Sequence, residues 1–179
     1  MKKMMLLLFS SFSILCASEP VLFILDASGS MWGRLNNVEK IITAKSVLVD
    51  LVNSMDDDIQ MGLMVYGHRT KGDCDDIELL FHPRPHIRVD MIQSIQRINP
   101  KGKTAIQRSI AAAAELADTH PMSVVLISDG KENCDDNPCE FLQHIKSTGV
   151  RITLHVIGFD VAEDEKVELT CLADAGGGQ

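Results

Sequence analysis

Unbroken apolar runs alternate along this chain with stretches in which apolar residues recur every three or four positions. Val21 to Leu25, Met61 to Val65, Val124 to Ile127 and Ile152 to Ile157 are continuous runs, as expected of strands buried on both faces. Ile77 to Phe81, after a polar loop containing Gly72, Asp73 and Cys74, predicts a short antiparallel edge strand. A helical period runs through Val38, Ile41, Ile42, Leu48, Leu51, Val52 and Met55, broken only by Lys45. Val89, Ile92, Ile95 and Ile98 mark a second helix, stopped before Pro100, and Ile106, Ile110, Ala113, Ala114 and Ala117 a third. Pro138 suits a first helical position and Asn137 its cap. Glu165 to Ala173 reads as the last helix. Strands alternating with helices predict an α/β fold whose mainly parallel sheet is covered on both faces. Ligands of such sheets sit at the carboxyl ends of the strands, so the residues that follow each strand carry the functional question.

The chain has 179 residues, enough for one domain with a sizeable core. Residues 1–18 stand apart as an export signal: Lys2 and Lys3, an apolar stretch from Met4 to Leu15, then the small residues Cys16, Ala17 and Ser18. The expected division is therefore a leader over 1–18 and one domain over 19–179, placed in a periplasm or at a cell surface. The apolar stretch is too short to span a bilayer, so membrane association is expected only through a leader that is retained or acylated on Cys16. Removing two lysines and no acids moves the net charge from -8 to -10. That charge argues against nucleic acid as a partner, because neutralising phosphates needs clustered Lys and Arg.

Three polar segments stand at or near strand ends. Asp26-Ala27-Ser28-Gly29-Ser30 follows the first strand, Ser128-Asp129-Gly130 follows the third buried run, and Thr104 opens the Ala-rich helix. Two carboxylates and three hydroxyls can converge there. All are hard oxygen ligands of the kind that Mg²⁺ or Mn²⁺ prefers. Gly29 allows the sharp turn that points both serines at one place.

Asp26, Ser28, Ser30, Thr104 and Asp129 in this order resemble the metal-ion-dependent adhesion site of von Willebrand factor A (VWA) domains. An exported bacterial subgroup of these domains is similar at Leu25 to Gly33, Tyr66 to Arg69, Gly72 to Glu78 and Ser128 to Cys134. The resemblance covers the chain from Pro20 onward. It implies a Rossmann-like three-layer α/β/α domain, with the final strand and helix of the family apparently missing here. It implies that Ser28, Ser30 and Thr104 ligate a divalent cation directly, while Asp26 and Asp129 act directly or through water. It also implies the partner: a protein that presents an acidic residue to complete the coordination of the ion.

Other readings remain beside this one. A metal-assisted hydrolase would use Asp26 or a metal-bound water, but no further side chain stands where it clearly supplies a base. A structural subunit with a vestigial site is the third. Gly102-Lys103-Thr104 lacks the earlier glycine of a phosphate loop, and no segment has the EF-hand spacing. His68 is expected to be a surface histidine rather than a ligand. Lys101 and Lys103 are either solvated or steer an acidic partner, and Trp32 is either a partner contact or buried. Asp73, Asp75, Asp76, Glu132, Asp135 and Asp136 are expected to form an acidic rim. Cys74, Cys134, Cys139 and Cys171, an even number in an exported chain, suggest two disulfides, with a zinc site as the rival. If the strand order is that of VWA domains, Cys74–Cys134 with Cys139–Cys171 is preferred, and a local Cys134–Cys139 loop stays open.

Overall fold

The structure, a computed structural model, describes residues 18–117, 120–130 and 132–179. The leader expected over 1–18 lies outside the described residues except for Ser18. Chain order runs β1 (Val21–Asp26), a 3-10 turn (Gly29–Trp32), β2 (Arg34–Leu35), β3 (Val38–Glu39), α1 (Lys40–Ser54), β4 (Met61–Tyr66) and β5 (Ile77–Arg84). It continues with α2 (Arg88–Arg97), α3 (Ile106–Leu116), β6 (Met122–Ser128), α4 (Pro138–Ser147), β7 (Ile152–Gly158) and α5 (Glu163–Gly176). The main sheet has the order β5-β4-β1-β6-β7. Only β5 is antiparallel to its neighbour; β4, β1, β6 and β7 run parallel.

All six residues of β1 are buried, and so are all six of β4. That is why these two runs are apolar without alternation. Val21, Phe23 and Leu25 of β1 face a core built with Ile41, Ala44, Leu48 and Val52 of α1 and Met91 and Ile95 of α2. Leu22 and Ile24 face the opposite core, with Ile106, Ile110 and Ala113 of α3, Leu142 of α4 and Leu169 and Leu172 of α5. Two helices thus cover one face of the sheet and three the other. The chain leaves β1 toward β4 on one side and returns to β6 on the other, so strand order reverses at β1.

One small sheet was not foreseen. Val38 belongs to β3, 44% exposed, rather than to the helix whose period it seemed to share. β2 and β3 pair as a hairpin, Arg34 opposite Glu39. Asn36 and Asn37 both take positive φ, as a two-residue turn of this kind requires. Asn137 caps α4 as expected, its Oδ1 accepting from Glu140 N at 3.1 Å.

No strand follows β7 among the described residues, so β7 is an edge. Residues 176–179 lie against it: Val156 N donates to Gln179 O at 3.0 Å, while Gly178 N closes the end of α5 by donating to Ala173 O at 3.0 Å. A Cβ on Gly178 would fall 2.0 Å from Leu154 O, which accounts for glycine at that position.

Candidate metal centre at the carboxyl edge of the sheet

Asp26 ends β1 fully buried. Its Oδ1 accepts from Ser28 N at 2.7 Å, the local bond that turns the chain after the strand. Its Oδ2 accepts from Ser128 Oγ, the last residue of β6, at 2.6 Å. Tyr66 OH, at the end of β4, donates to that same Ser128 Oγ at 3.2 Å. Three adjacent strand ends therefore hold one carboxylate.

Past the turn, Ser28 Oγ and Ser30 Oγ lie 2.9 Å apart, and Ser30 Oγ donates to Asp129 Oδ1 at 2.7 Å. Ser28 and Asp129 are buried, whereas Ser30 is exposed. The cluster has a buried floor and an open rim.

Thr104 arrives on a separate loop that is sewn to the others through the backbone. Lys101 N donates to Ala27 O (2.9 Å) and Gly67 O (3.0 Å), Gly102 N to Gly67 O (2.7 Å), and Gly29 N to Gly102 O (3.0 Å). Thr104 itself is embraced by Asn133. Its N–H donates to Asn133 Oδ1 at 2.9 Å, its Oγ1 accepts from Asn133 Nδ2 at 3.2 Å, and its carbonyl accepts from Asn133 N at 3.1 Å. All five residues expected at the site thus come from the end of β1 and from loops that meet at one edge of the sheet. Thr104 is tied to Ser28 through neighbouring backbone; no side-chain bond joins the two.

Burial and one lysine set the electrostatics of the cluster. Burial pushes the Asp26 carboxyl above its ordinary value, and the charge of Asp129 adds to this against the hydrogen bonds from Ser128 and Ser28. Asp129 Oδ2 is buried with no hydrogen-bond partner. Its nearest charge is Lys40 Nζ, 3.1 Å away, an ion-pair contact outside hydrogen-bonding geometry. Burial lowers the Lys40 ammonium, but Asp129 and Asp160 outweigh it and hold the group above its usual range. Among the described residues, no three His, Cys, Asp or Glu side chains gather in a ligand array. The oxygens at hand are hydroxyls and two carboxylates, a donor set that fits Mg²⁺ or Mn²⁺ and not a soft metal.

Sequence reasoning missed Lys40, Ser128, Tyr66 and Asn133 as parts of the site. The last three stand inside the stretches that carried the family resemblance; Lys40 had no signal beyond a lysine opening a helix.

Several side chains differ from expectation. His68 is only partly exposed: its side chain is 13% exposed and its Nε2 lies 2.9 Å from Glu78 Oε2. Two arginines pair with three of the six carboxylates expected at the acidic rim. Asp76 is buried and accepts from Arg69 N, Arg69 Nε and Thr70 N, each at 2.7 Å. Asp75 and Asp135 both pair with Arg108. Glu132 caps the start of α3, its Oε2 accepting from Gln107 N at 2.7 Å. Trp32 is 48% exposed, with its indole N–H donating to Pro100 O at 2.9 Å. The cysteines pair as preferred, Cys74–Cys134 and Cys139–Cys171, and zinc loses its ligands.

Asp76 makes a prediction of its own. Burial raises its carboxyl, but Arg69 and the two backbone N–H groups outweigh this and leave it below the usual aspartate value of 3.8. A depressed folded-state pKa stabilises above the unfolded pKa, and the contribution is lost as pH falls through the folded value. Thermal melts between about pH 5 and pH 2 should therefore show falling stability, less steeply in Asp76→Asn. An unchanged slope in that variant would count against the assignment.

A curated relative, the uncharacterized protein YwmC of Bacillus subtilis (strain 168), is 29% identical to this chain, covering 91% of it and 76% of the relative. YwmD of the same organism is 26% identical over a similar share, 91% and 78%. Among solved structures, a von Willebrand factor type A protein from Catenulispora acidiphila superposes with a TM-score of 0.70 at 24% identity, over 90% of this chain and 38% of that one. An aerotolerance-related membrane protein from Bacteroides fragilis NCTC 9343 gives a TM-score of 0.69 at 20% identity, over 90% and 89%. The three-layer architecture agrees with these likenesses, and the sequence profile of the von Willebrand factor type A domain matches residues 21–177. This chain therefore belongs to the von Willebrand factor type A domain family.

Proposed function

We propose that the chain is a metal-dependent protein-binding module and not an enzyme. Ser28, Ser30 and Thr104 would hold one Mg²⁺ or Mn²⁺ through their hydroxyls, with Asp26 and Asp129 acting directly or through water. When bound, the ion supplies a positive centre that attracts an acidic residue of a partner protein. The carrying observation is buried Asp129, whose Oδ1 accepts from the rim-exposed Ser30 Oγ next to Ser28 Oγ, while its Oδ2 makes no hydrogen bond. Asn133 keeps Thr104 in place, and Ser128 keeps Asp26 in place, so the donors are positioned before any ion arrives. Hydroxyl donors carry no charge, so the ion is left under-neutralised and open to a further anionic ligand.

The alternative of a metal-assisted hydrolase gains nothing from His68, whose Nε2 is engaged with Glu78. VWA domains are generally interaction modules, which favours binding. Two disulfides support an oxidising compartment, in line with an exported protein of the periplasm or cell surface. Among the described residues no helix is long and apolar enough to cross a membrane.

Calorimetric titration with Mg²⁺ and Mn²⁺ tests the reading. The protein is expected to bind one ion saturably, and Asp26→Ala/Ser28→Ala to lose that binding. Unchanged binding in the double variant would falsify the site. A pull-down with and without chelator then tests whether partner capture needs the ion.

A further inference from the structure

Lys40 opens α1 and reaches over the carboxyl edge of the sheet. Its Nζ lies 3.1 Å from Asp129 Oδ2 and 3.2 Å from Asp160 Oδ2. The Asp160 carbonyl is a third neighbour at 3.4 Å. The lysine side chain is 13% exposed and that of Asp129 is 0% exposed, whereas Asp160 is 46% exposed. The ammonium therefore sits at the boundary between the buried floor of the cluster and solvent.

Its position is imposed from outside the metal motif. Lys40 N donates to Gly33 O at 2.8 Å, so the β2–β3 hairpin, which lies between these two residues, fixes the start of the helix. Gly33 has no side chain where a Cβ would come 3.3 Å from Lys40 Cε, so the lysine stem packs against bare backbone. Asp160, in the left-handed region at φ 48°, holds the ammonium from the opposite side with both its carboxylate and its carbonyl.

We propose that Lys40 is a built-in counter-cation that competes with the divalent ion for Asp129, lowering the ion's affinity while making the loaded centre one charge more positive. This rests on the metal-binding reading above. Asp26, Asp129 and Asp160 bring three negative charges and Lys40 one positive, a sum of -2 that a divalent ion cancels. Without Lys40 the loaded centre carries a charge of -1 and attracts an acidic partner less. Asp160 gives the ammonium a second anchor, so Asp129 can turn toward an incoming ion without leaving Lys40 unpaired. The competition is purely electrostatic and needs no change of protonation.

The experiment is calorimetric titration of the protein with Mn²⁺ alone, comparing wild type, Lys40→Met, Lys40→Arg and Lys45→Met. Lys45 is on the same helix but donates to Gln96 O, so its loss controls for net charge. Metal-free melts establish that each variant folds, and Lys40→Gln replaces the methionine variant should that one not melt cooperatively. Lys40→Met is expected to bind Mn²⁺ about tenfold more tightly, a modest share of the Coulomb repulsion removed. Lys40→Arg and Lys45→Met should stay near wild type. Unchanged or weaker binding by a folded Lys40→Met, with wild type binding normally, overturns the proposal and leaves the metal reading standing. No binding by any folded variant, wild type included, overturns both.

Discussion

Replacing Cys74 and Cys134 together by serine is expected to lower the unfolding free energy by about 4 kcal/mol and to weaken divalent-ion binding. The bridge closes a loop with a sequence separation of 60, which sets the entropic part of that cost. Its second effect is local. Cys134 directly follows Asn133, whose amide and backbone make three bonds to Thr104. The bridge ties that segment to the β4–β5 loop, and Arg108 repeats the connection by pairing with Asp75 and Asp135, residues adjacent in sequence to the two cysteines. Cys139–Cys171, with a separation of 32, joins α4 to α5 away from the cluster. Its removal should cost a similar amount of stability, again about 4 kcal/mol, with ion binding intact. Chemical denaturation and Mn²⁺ titration of both double variants check this. Equal losses of ion binding in the two would show that the first bridge has no special relation to Thr104.

Alanine at Gly102 is expected to cost about 3 kcal/mol and to abolish ion binding before it abolishes folding. A Cβ there would lie 2.7 Å from Thr70 O and 2.9 Å from Gly67 Cα. Gly67 meets the same obstruction from the other side: at φ +70° its Cβ would fall 2.7 Å from Lys103 O and 3.1 Å from Ser28 Cα. The obstacles are backbone atoms of the β4–β5 loop and of the loops that carry Ser28 and Thr104, so relief means moving Ser28 and Thr104 apart. Gly72 is the control. At φ +79° it is strained for any side chain, yet a Cβ there meets nothing within 4 Å. Gly72→Ala should cost only the conformational penalty of about 1 kcal/mol and leave ion binding untouched. A Gly102→Ala protein that titrates like wild type would show that the loops tolerate displacement.

The parallel strands were legible because they are buried on both faces, and their apolar runs match β1, β4, β6 and β7 within a residue or two. The five candidate residues were nominated by their resemblance to a family motif of hard oxygen donors, and the fold brings their segments to one edge of the sheet. The hairpin from Arg34 to Glu39 was hidden because Val38 continues the spacing of Ile41 and Ile42 by coincidence. The dipeptide Asn36-Asn37, with its tolerance of positive φ, was the signal that should have broken that helix. Lys40 and the pairing of the acidic rim were not legible at all. Whether a loop carboxylate is solvated or buried against an arginine depends on which distant segment lands beside it. Asp76 with Arg69, and Asp135 with Arg108, are settled by packing between elements. Lys40 meets Asp129 only because the hairpin sets where α1 begins.

The residues from Gly176 to Gln179 give the β7 edge a guard. An open strand edge invites another chain to add itself as a further strand, the first step toward filaments and aggregates. Gln179 O already takes the N–H of Val156, a donor that an incoming strand would need. Gly178 fits so closely over Leu154 that any larger residue would lift the tail from the edge. Low sequence complexity in a tail usually marks a dispensable spacer. Here three consecutive glycines set the thickness of a cover over part of the β7 edge.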